Sequence, residues 1–289
     1  MRTRFNVEEM TIDRIVEREY PFERMLDFLP KLEPGVLEEN RSWLEPAAYD
    51  GSSGYAIFCF QSYIVRTPHH TVLVDSCIGN DKTHRYPEWH HKTDVAWMSS
   101  LRAAGLGVED VDFVMCTHLH GDHIGWNTRL ENGRWVPTFP NARYLLSKKE
   151  FEYWSGVHRE TPLPRIAESV LPVIEAKKAD LVTSDHAIDD YVRLLPTPGH
   201  TPDHFGVAIG RKSDAAVFTG DLIHTPLQAR YPELSSRADS NPDQAMVTRR
   251  RFLERYCDTE TLFCTMHFPS PSVGCLKRWG DGFRCEYLM

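Results

Sequence analysis

The feature that most constrains this sequence is a six-residue stretch, 118–123, that reads His-Leu-His-Gly-Asp-His. Four of its six side chains are imidazoles or a carboxylate, the ligands that borderline divalent metals prefer. Burying them without a metal or hydrogen bonds would cost several kcal/mol in desolvation. The stretch directly follows an apolar run, 111–116, that predicts a short buried strand. The sequence therefore predicts a metal site at the end of a strand.

The spacing of these four side chains favours two metals rather than one. If the strand continues through His118 and His120, both side chains project to the same face. Gly121 then allows the chain to turn sharply, so that Asp122 and His123 face a second metal beside the first. One segment would thus supply ligands to both metals.

Three further residues of suitable type follow predicted strands later in the chain. They are His200, after a strand and the turn 197–199, Asp221, after the strand 215–219, and His267, after the strand 261–266. Each alone would more often be structural than functional. Their shared placement at strand ends is typical of a site gathered at one edge of a sheet.

These segments resemble the motifs of a known family. THLHGDHIGWN resembles the H-x-H-x-D-H signature of the metallo-β-lactamase superfamily, and LVDSCIG, PTPGHTPDH, FTGDLIH and MHFPSP resemble its other motifs, in the family's order. The motifs run from Asp75 to His267, about two-thirds of the chain. The resemblance implies an α+β fold, a four-layer αβ/βα sandwich in which two mixed sheets face each other with helices outside.

The resemblance also implies two groups of three ligands and one bridging carboxylate. The residues that would hold the first metal are His118, His120 and His200, and those that would hold the second are Asp122, His123 and His267. Asp221 would bridge both metals, beside a bridging hydroxide. The implied cofactors are two divalent metal ions, with zinc the leading candidate. We expect Asp75 and His204 not to be ligands but to support the site through hydrogen bonds.

The implied activity is hydrolysis of a small ester or lactone by the metal-bridging hydroxide, in a lactonase-like or esterase-like enzyme. Asp122 would help to position the hydroxide or take its proton. Quorum-quenching lactonases of the family carry a tyrosine three residues after the bridging aspartate, whereas this chain has His224 and looks more like the methyl parathion hydrolase branch. We consider His224 as a polarising group or general acid and, with equal weight, as a hydrogen-bonded loop histidine.

Other activities stay open at the same site. Phosphotriester hydrolysis of the methyl parathion hydrolase type and thioester hydrolysis would both suit it. A diiron flavoprotein is disfavoured, because that branch places a glutamate where this chain has His120 and adds a flavodoxin domain. A metal-stabilised binding protein without turnover is disfavoured by the complete ligand set. The sequence contains no Gly-x-Ser-x-Gly motif for a serine nucleophile.

Composition limits the partners and the location. The net charge of −8 disfavours a nucleic-acid partner, and we interpret the arginine triplet 249–251 as a solvated helix face. No stretch has the uncharged apolar length of a membrane-spanning helix, and the charged N-terminus shows no secretory signal. Seven cysteines without a Cys-x-x-Cys pair indicate reduced thiols in a cytoplasmic protein.

We divide the chain into an N-terminal extension, 1–50, and a metallo-β-lactamase-fold catalytic domain, 51–289. The extension is predicted to hold one or two short helices, and either to pack on the body or to contribute to a homodimer contact. The partner is expected to be a small-molecule substrate, an apolar or aromatic ester, because aromatic residues fall in loops near the predicted metals. These residues are Tyr86, Trp89, Trp126, Tyr153, Trp154 and Phe268.

Overall fold

The computed structural model of the protein describes residues 3–288. The strands, in chain order, are β1 (Arg4–Val7), β2 (Met10–Arg24), β3 (Tyr49–Asp50), β4 (Tyr55–Arg66), β5 (Thr71–Val74), β6 (Phe113–Met115), β7 (Thr128–Glu131), β8 (Arg134–Pro137), β9 (Arg143–Ser147), β10 (Ala179–Val182), β11 (Val192–Pro196), β12 (Phe205–Ile209), β13 (Ala216–Phe218), β14 (Leu262–Cys264), β15 (Val273–Trp279) and β16 (Gly282–Tyr287). The helices are α1 (Met25–Phe28), α2 (Pro34–Leu44), α3 (Ala96–Ala103), α4 (Gly121–Ile124), α5 (Lys148–Glu160), α6 (Pro164–Ser169), α7 (Leu171–Glu175), α8 (Pro226–Arg230) and α9 (Pro242–Tyr256).

The larger sheet has eight strands within residues 3–288, in the order β1-β2-β4-β5-β6-β9-β10, with β3 paired to β4. Its neighbours β5, β6, β9 and β10 run parallel. In this register Val74 lies opposite Met115. The segments that follow β5 and β6 therefore leave the sheet at the same edge, and these segments contain Asp75 and the histidine stretch 118–123.

The second sheet follows the chain order from β11 to β16, and its neighbours are antiparallel except for β13 and β14. The parallel pairing places Phe218 opposite Cys264. Asp221 and His267 each come three residues after one member of this pair. The register therefore carries both predicted ligands to one edge of the sheet. A separate hairpin is formed by β7 and β8.

The chain divides into two compact units, each with its own hydrophobic core. One unit comprises Thr3–Arg18 and Phe60–His186, and the other comprises Glu19–Cys59 and residues 187–288. Large buried side chains of the first core include Trp97, Trp126, Phe139 and Tyr144. Those of the second include Phe252, Phe263, Phe268 and Phe283.

The N-terminal residues contribute strands that the sequence did not predict. The expected short helices are present as α1 and α2, but β2 before them is a strand of 15 residues. Its Glu17 is buried, and the carboxylate accepts hydrogen bonds from the Ile78 amide at 2.7 Å and the Trp126 indole at 2.9 Å, beside the Lys92 ammonium at 2.7 Å. Charged residues are depleted from strands, so the charge-rich sequence did not suggest this one. Our division of the chain at residue 50 stays a prediction.

Several local predictions are confirmed. The arginine triplet 249–251, interpreted as part of a helix, lies within α9, and the predicted strand 111–116 contains β6. No disulfide joins the cysteines of residues 3–288, all of which carry thiols. Nowhere in the described part of the chain is there a helix whose length and apolarity would let it cross a membrane.

Candidate metal centre

The histidine stretch changes backbone conformation at the residue that separates its two halves. His120 is extended, with φ −78° and ψ 156°, and α4 begins at Gly121. The ring of His118 lies 4.6 Å from that of His120 and 4.2 Å from that of His123, between centroids. A Cβ at Gly121 would lie 2.9 Å from Cε1 of the His84 ring, so a larger residue at this turn would require that ring to shift. The predicted turn therefore brings the three imidazoles together.

Asp75 holds this stretch in place through three hydrogen bonds. Its carboxylate accepts from the Thr117 amide at 2.7 Å, from the Thr117 hydroxyl at 2.9 Å and from His123 Nδ1 at 2.8 Å. Asp75 is completely buried. A histidine that donates from Nδ1 to a carboxylate presents Nε2 to a metal, with its tautomer fixed. The supporting role expected for Asp75 is present in the structure.

Asp221 is surrounded by histidines on both of its carboxylate oxygens. Oδ2 lies 3.2 Å from His200 Nε2 and 3.1 Å from His224 Nε2, and Oδ1 lies 2.9 Å from His267 Nε2. The Asp221 amide donates to His204 Nε2 at 2.9 Å. His204 therefore supports the Asp221 backbone and is not grouped with the ligands, which fits the role we expected for it.

His200 is supported by a buried acid and a buried arginine that the sequence interpretation missed. His200 Nδ1 lies 2.9 Å from Asp239 Oδ1, and Asp239 Oδ2 lies 3.3 Å from Arg249 Nη2. Burial lowers the pKa of His200, but the charges and hydrogen bonds of Asp221 and Asp239 outweigh it and raise the pKa to about 9. Burial raises the pKa of Asp239, but the opposing effects of His200 and Arg249 are larger. The pKa of Asp239 therefore lies below its usual value. The negative charge at this ring favours a bound cation.

The interpretation of the arginine triplet 249–251 as a solvated helix face is wrong for Arg249. Its side chain is completely buried, and it donates to the backbone oxygens of Leu222, Pro232 and Leu234. The buried residues of α9 recur at helical spacing and are Ala245, Arg249, Phe252, Leu253 and Tyr256. That period places Arg249 on the apolar face, so the pattern itself could have revealed it.

Two groups of side chains are close enough to hold metal ions. The ligand atoms within each group lie within 4.8 Å of one another, and the groups are His118, His120, His200 and Asp221, and Asp122, His123 and His267. Together they contain every residue that we predicted as a ligand. Imidazoles and carboxylates form the donor set that zinc prefers. The residues therefore fit a pair of borderline divalent cations, and the coordination itself stays a prediction.

His224 contacts the candidate bridging residue but is enclosed by aromatic rings. Its ring lies 5.1 Å from Phe28 and 6.3 Å from Phe58, and it is parallel to His267 at 5.6 Å. Its Nδ1 atom is buried without a hydrogen-bond partner among residues 3–288. Burial lowers the pKa of His224, against the attraction of Asp221. No sequence pattern predicted that Phe28 or Phe58 would lie at this position.

The aromatic residues expected to set specificity fall into two classes. Trp89, Trp126 and Phe268 are buried, with exposures of 3%, 5% and 0%, so they pack in the interior. Tyr153 and Trp154 are at least partly exposed, and the Trp154 ring lies 5.6 Å from that of His120. The sixth residue, Tyr86, is also partly exposed, so Tyr86, Tyr153 and Trp154 remain the candidates for contact with a substrate.

Curated relatives match part of the chain. The N-acyl homoserine lactonase AiiA of Bacillus thuringiensis subsp. kurstaki is 26% identical over 155 residues, which are 53% of this chain and 54% of that protein. An N-acyl homoserine lactonase of a Bacillus species is 31% identical over 126 residues, 43% of this chain and 44% of its own. The chain thus spans about half the length of these relatives.

Solved structures and a family domain cover more of the chain. AidC, a dizinc quorum-quenching lactonase in complex with a product, has a TM-score of 0.78 at 22% identity, covering 99% of this chain and 97% of its own. The hydrolase AbOPH of the beta-lactamase superfamily has a TM-score of 0.81 at 21% identity, with coverage of 99% and 97%. The fold is the mixed α+β sandwich that the sequence predicted. Since residues 61–267 match the Lactamase_B domain, the chain belongs to the metallo-beta-lactamase superfamily.

Proposed function

We propose that this protein is a hydrolase that uses two divalent metal ions, with zinc the first candidate, to cleave a small ester or lactone. The observation that carries the proposal is the pair of ligand groups, in which Asp221 belongs to the first group and its Oδ1 atom lies 2.9 Å from His267 of the second. A carboxylate with one oxygen beside each group suits a bridging role. The relatives named N-acyl homoserine lactonase support a lactone as substrate.

The metals and the chain have separate tasks in this proposal. When bound, a pair of divalent cations lowers the pKa of water towards neutrality and polarises a carbonyl oxygen. Asp122 is half-buried, with Oδ2 3.7 Å from His123 Nε2, and its proposed role is to hold or accept a proton at the attacking water. Asp75 and Asp239 keep His123 and His200 in the tautomer and orientation that ligation requires.

We propose that His224 acts on the reaction mainly through Asp221. It donates from Nε2 to Asp221 at 3.1 Å, and its remaining nitrogen lies among Phe28 and Phe58. A leaving group needs a proton donor that it can reach, and the enclosed ring is poorly placed for this. General acid catalysis by His224 would need the protonated ring, so the pH–rate profile would show an alkaline limb, a fall in rate as pH rises, that His224→Gln removes. If His224 has a positioning role, His224→Gln would lower metal content instead.

The substrate class is proposed to be an apolar or aromatic ester, since the Trp154 ring lies 5.6 Å from that of His120 and Tyr153 packs against Trp154. Phosphotriesters and thioesters are the alternatives.

We also propose a cytoplasmic location, because the cysteines of residues 3–288 form no disulfide, and we expect no nucleic-acid or membrane partner. A homodimer formed through residues 1–50 is a further proposal, which size-exclusion chromatography with light scattering would test.

Metal analysis combined with a substrate panel tests the proposed function. We expect about two metal ions per chain, and turnover of lactones or aryl esters that exceeds turnover of phosphotriesters and thioesters. Asp221→Ala should lose metal and activity together while the chain stays folded, and the exposed Asp185→Ala should retain both. Loss of activity with full metal content would remove Asp221 from the ligand set, and an inert, metal-loaded wild type would overturn the proposal.

A further inference from the structure

Arg165 lies against the segment that carries the metal-ligand candidates. Its Nε donates to the backbone oxygen of Leu119 at 3.0 Å, between His118 and His120. Its guanidinium carbon lies 4.4 Å from the centroid of the Trp154 ring, and the same ring lies 5.6 Å from that of His120. Arg165, Trp154 and His120 therefore form one continuous surface next to the proposed reaction centre.

The guanidinium of Arg165 has no carboxylate partner of its own. No ion pair within 4.0 Å and no hydrogen bond from its outer nitrogens exists among residues 3–288, although Asp122 attracts it at longer range. Partial burial lowers its pKa to about 10, so it is charged at neutral pH but poorly solvated. The outer nitrogens of Arg165 lack a hydrogen-bond partner among the described residues, yet they are not fully buried. The outer nitrogens are therefore open to a ligand.

The indole beneath the guanidinium is fixed in orientation. Trp154 Nε1 donates to Glu150 Oε2 at 2.8 Å, and Glu150 is completely buried near the start of α5. Tyr153, which is 44% exposed, packs edge-on against Trp154 at 4.9 Å. A guanidinium stacked on an aromatic face loses little freedom when it binds a planar group. This geometry suits two parallel hydrogen bonds to a carboxylate.

We propose that Arg165, stacked on Trp154, binds a carboxylate of the substrate, so that the preferred ester or lactone is anionic at a point remote from the bond that is cleaved. The inference rests on the proposed function and narrows its substrate class. The apolar part of such a substrate contacts Trp154 and Tyr153, and its carboxylate reaches the two outer nitrogens of Arg165. Arg165 is a specificity residue in this proposal and takes no part in the bond-breaking step.

Two aryl esters of equal chain length, one ending in a carboxylate and the other in a methyl group, provide the test. The substrates are the mono-4-nitrophenyl ester of adipic acid, which carries a free carboxylate, and 4-nitrophenyl hexanoate, which matches its chain length and is neutral. We expect metal-loaded wild type to prefer the adipate ester. Arg165→Gln should lower the ratio of the two kcat/KM values by about tenfold or more, mainly through a higher KM for the adipate ester.

Two further variants separate recognition from general effects of charge. Arg165→Lys keeps the charge but not the two-pronged geometry, so it should retain an intermediate preference. Arg159→Gln removes an exposed charge on α5 and should leave the ratio unchanged. An equal fall in the ratio for Arg159→Gln and Arg165→Gln, or no change in the ratio for Arg165→Gln, would overturn the inference.

A binding measurement keeps the inference testable apart from turnover. Calorimetric titration with adipate and with neutral adipamide should show adipate binding to wild type, weakened in Arg165→Gln, and no adipamide binding. If wild type hydrolyses neither ester but binds adipate through Arg165, the proposed activity fails while the carboxylate site stands. If both esters are hydrolysed at equal rates, the activity stands and the carboxylate site fails. Metal content and melting temperature of each variant identify any that do not fold.

Discussion

Arg249 and Asp239 form a charged pair with no exposure to water, and the pair supports a histidine of the candidate metal centre. Both side chains have 0% exposure, and each has further hydrogen bonds, Arg249 to backbone oxygens and Asp239 to His200 and the Ser236 amide. Removing one partner of such a pair leaves the other charge uncompensated. The support of His200 and the stability of the fold therefore depend on the same side chains.

Replacing Arg249 tests this dependence. Arg249→Met should lower the free energy of unfolding by about 3–5 kcal/mol, because Asp239 would stay buried with one fewer partner. It should also weaken metal binding by about tenfold to a hundredfold, because His200 loses its fixed orientation. Urea denaturation and metal titration give the two readouts. Arg250→Met, at a side chain that is 38% exposed, is the matched control, and an equal effect there would contradict the assignment.

Lys82 is another buried ionisable residue, and it is not one of the candidate metal ligands. Its ammonium donates to Thr128 Oγ1 at 2.5 Å and to the Glu168 backbone oxygen at 3.2 Å, and it lies 3.5 Å from the Trp135 ring centroid. Burial lowers its pKa from 10.5 to about 7, against the attraction of Glu168 and Asp81. Below about pH 7 the folded state therefore bears the cost of a buried charge.

The depressed pKa of Lys82 predicts a pH dependence of stability. Between about pH 7 and pH 10.5 the amine of Lys82 is neutral in the folded state but still binds a proton in the unfolded state. The contribution of Lys82 to the free energy of unfolding therefore rises with pH, by at most about 1.4 kcal/mol per pH unit. The rise ends above the unfolded pKa. In urea denaturation, the difference in unfolding free energy between wild type and Lys82→Met should show this slope, since groups such as His200 titrate in both proteins. The exposed Lys31→Met serves as control, and parallel curves for wild type and Lys82→Met would refute the shift.

At the scale of secondary-structure elements, two backbone segments meet without side chains between them. The Gly125 amide donates to the Cys77 oxygen at 2.7 Å, and the Trp126 amide donates to the Ser76 oxygen at 2.8 Å. A Cβ on Gly125 would lie 1.8 Å from the Ile78 oxygen. The loop after β5 is therefore packed directly on the turn that ends the histidine stretch.

A methyl group at Gly125 should separate these segments. Gly125→Ala is expected to destabilise the fold by about 3 kcal/mol or more, and to lower metal content because His123 lies two residues earlier. Gly156→Ala within α5 is the control, since a Cβ there meets only a side-chain atom at 3.8 Å. It should be neutral or stabilise by up to about 1 kcal/mol. Thermal unfolding and metal analysis check both, and a stable, metal-replete Gly125→Ala would contradict the close approach.

Element order and strand pairing explain how much of the site could be predicted. The ligands were predictable because each follows an apolar strand, and the parallel pair β13 and β14 carries Asp221 and His267 to one edge. Asp239 was not predictable, because it lies in a loop without periodicity and gains its role only by contact with His200. β2 was missed because its buried charges, such as Glu17, are compensated by distant residues. Sequence patterns report local order, whereas these pairings are long-range.

At the scale of the whole molecule, the two ligand groups bring several histidine and aspartate side chains close together, and bound metal ions would coordinate them. Removal of metal with a chelator should therefore lower the melting temperature as well as abolish activity, because a metal that binds only the folded state adds its binding free energy to stability. Zinc should restore both properties and magnesium should not, since the groups are rich in imidazole. Differential scanning calorimetry measures the change, and an unchanged melting temperature after complete metal removal would argue against the site.

The buried carboxylate of Glu17 has a practical consequence for anyone who wishes to shorten this protein. The segment that matches the family begins at residue 61, and a fragment cut there would look like a self-sufficient minimal enzyme. It would nevertheless leave the Ile78 amide, the Trp126 indole and the Lys92 ammonium without the acceptor that now holds all three. Trimming, domain grafting or circular permutation should therefore keep the first strands attached, and new chain ends are better introduced elsewhere.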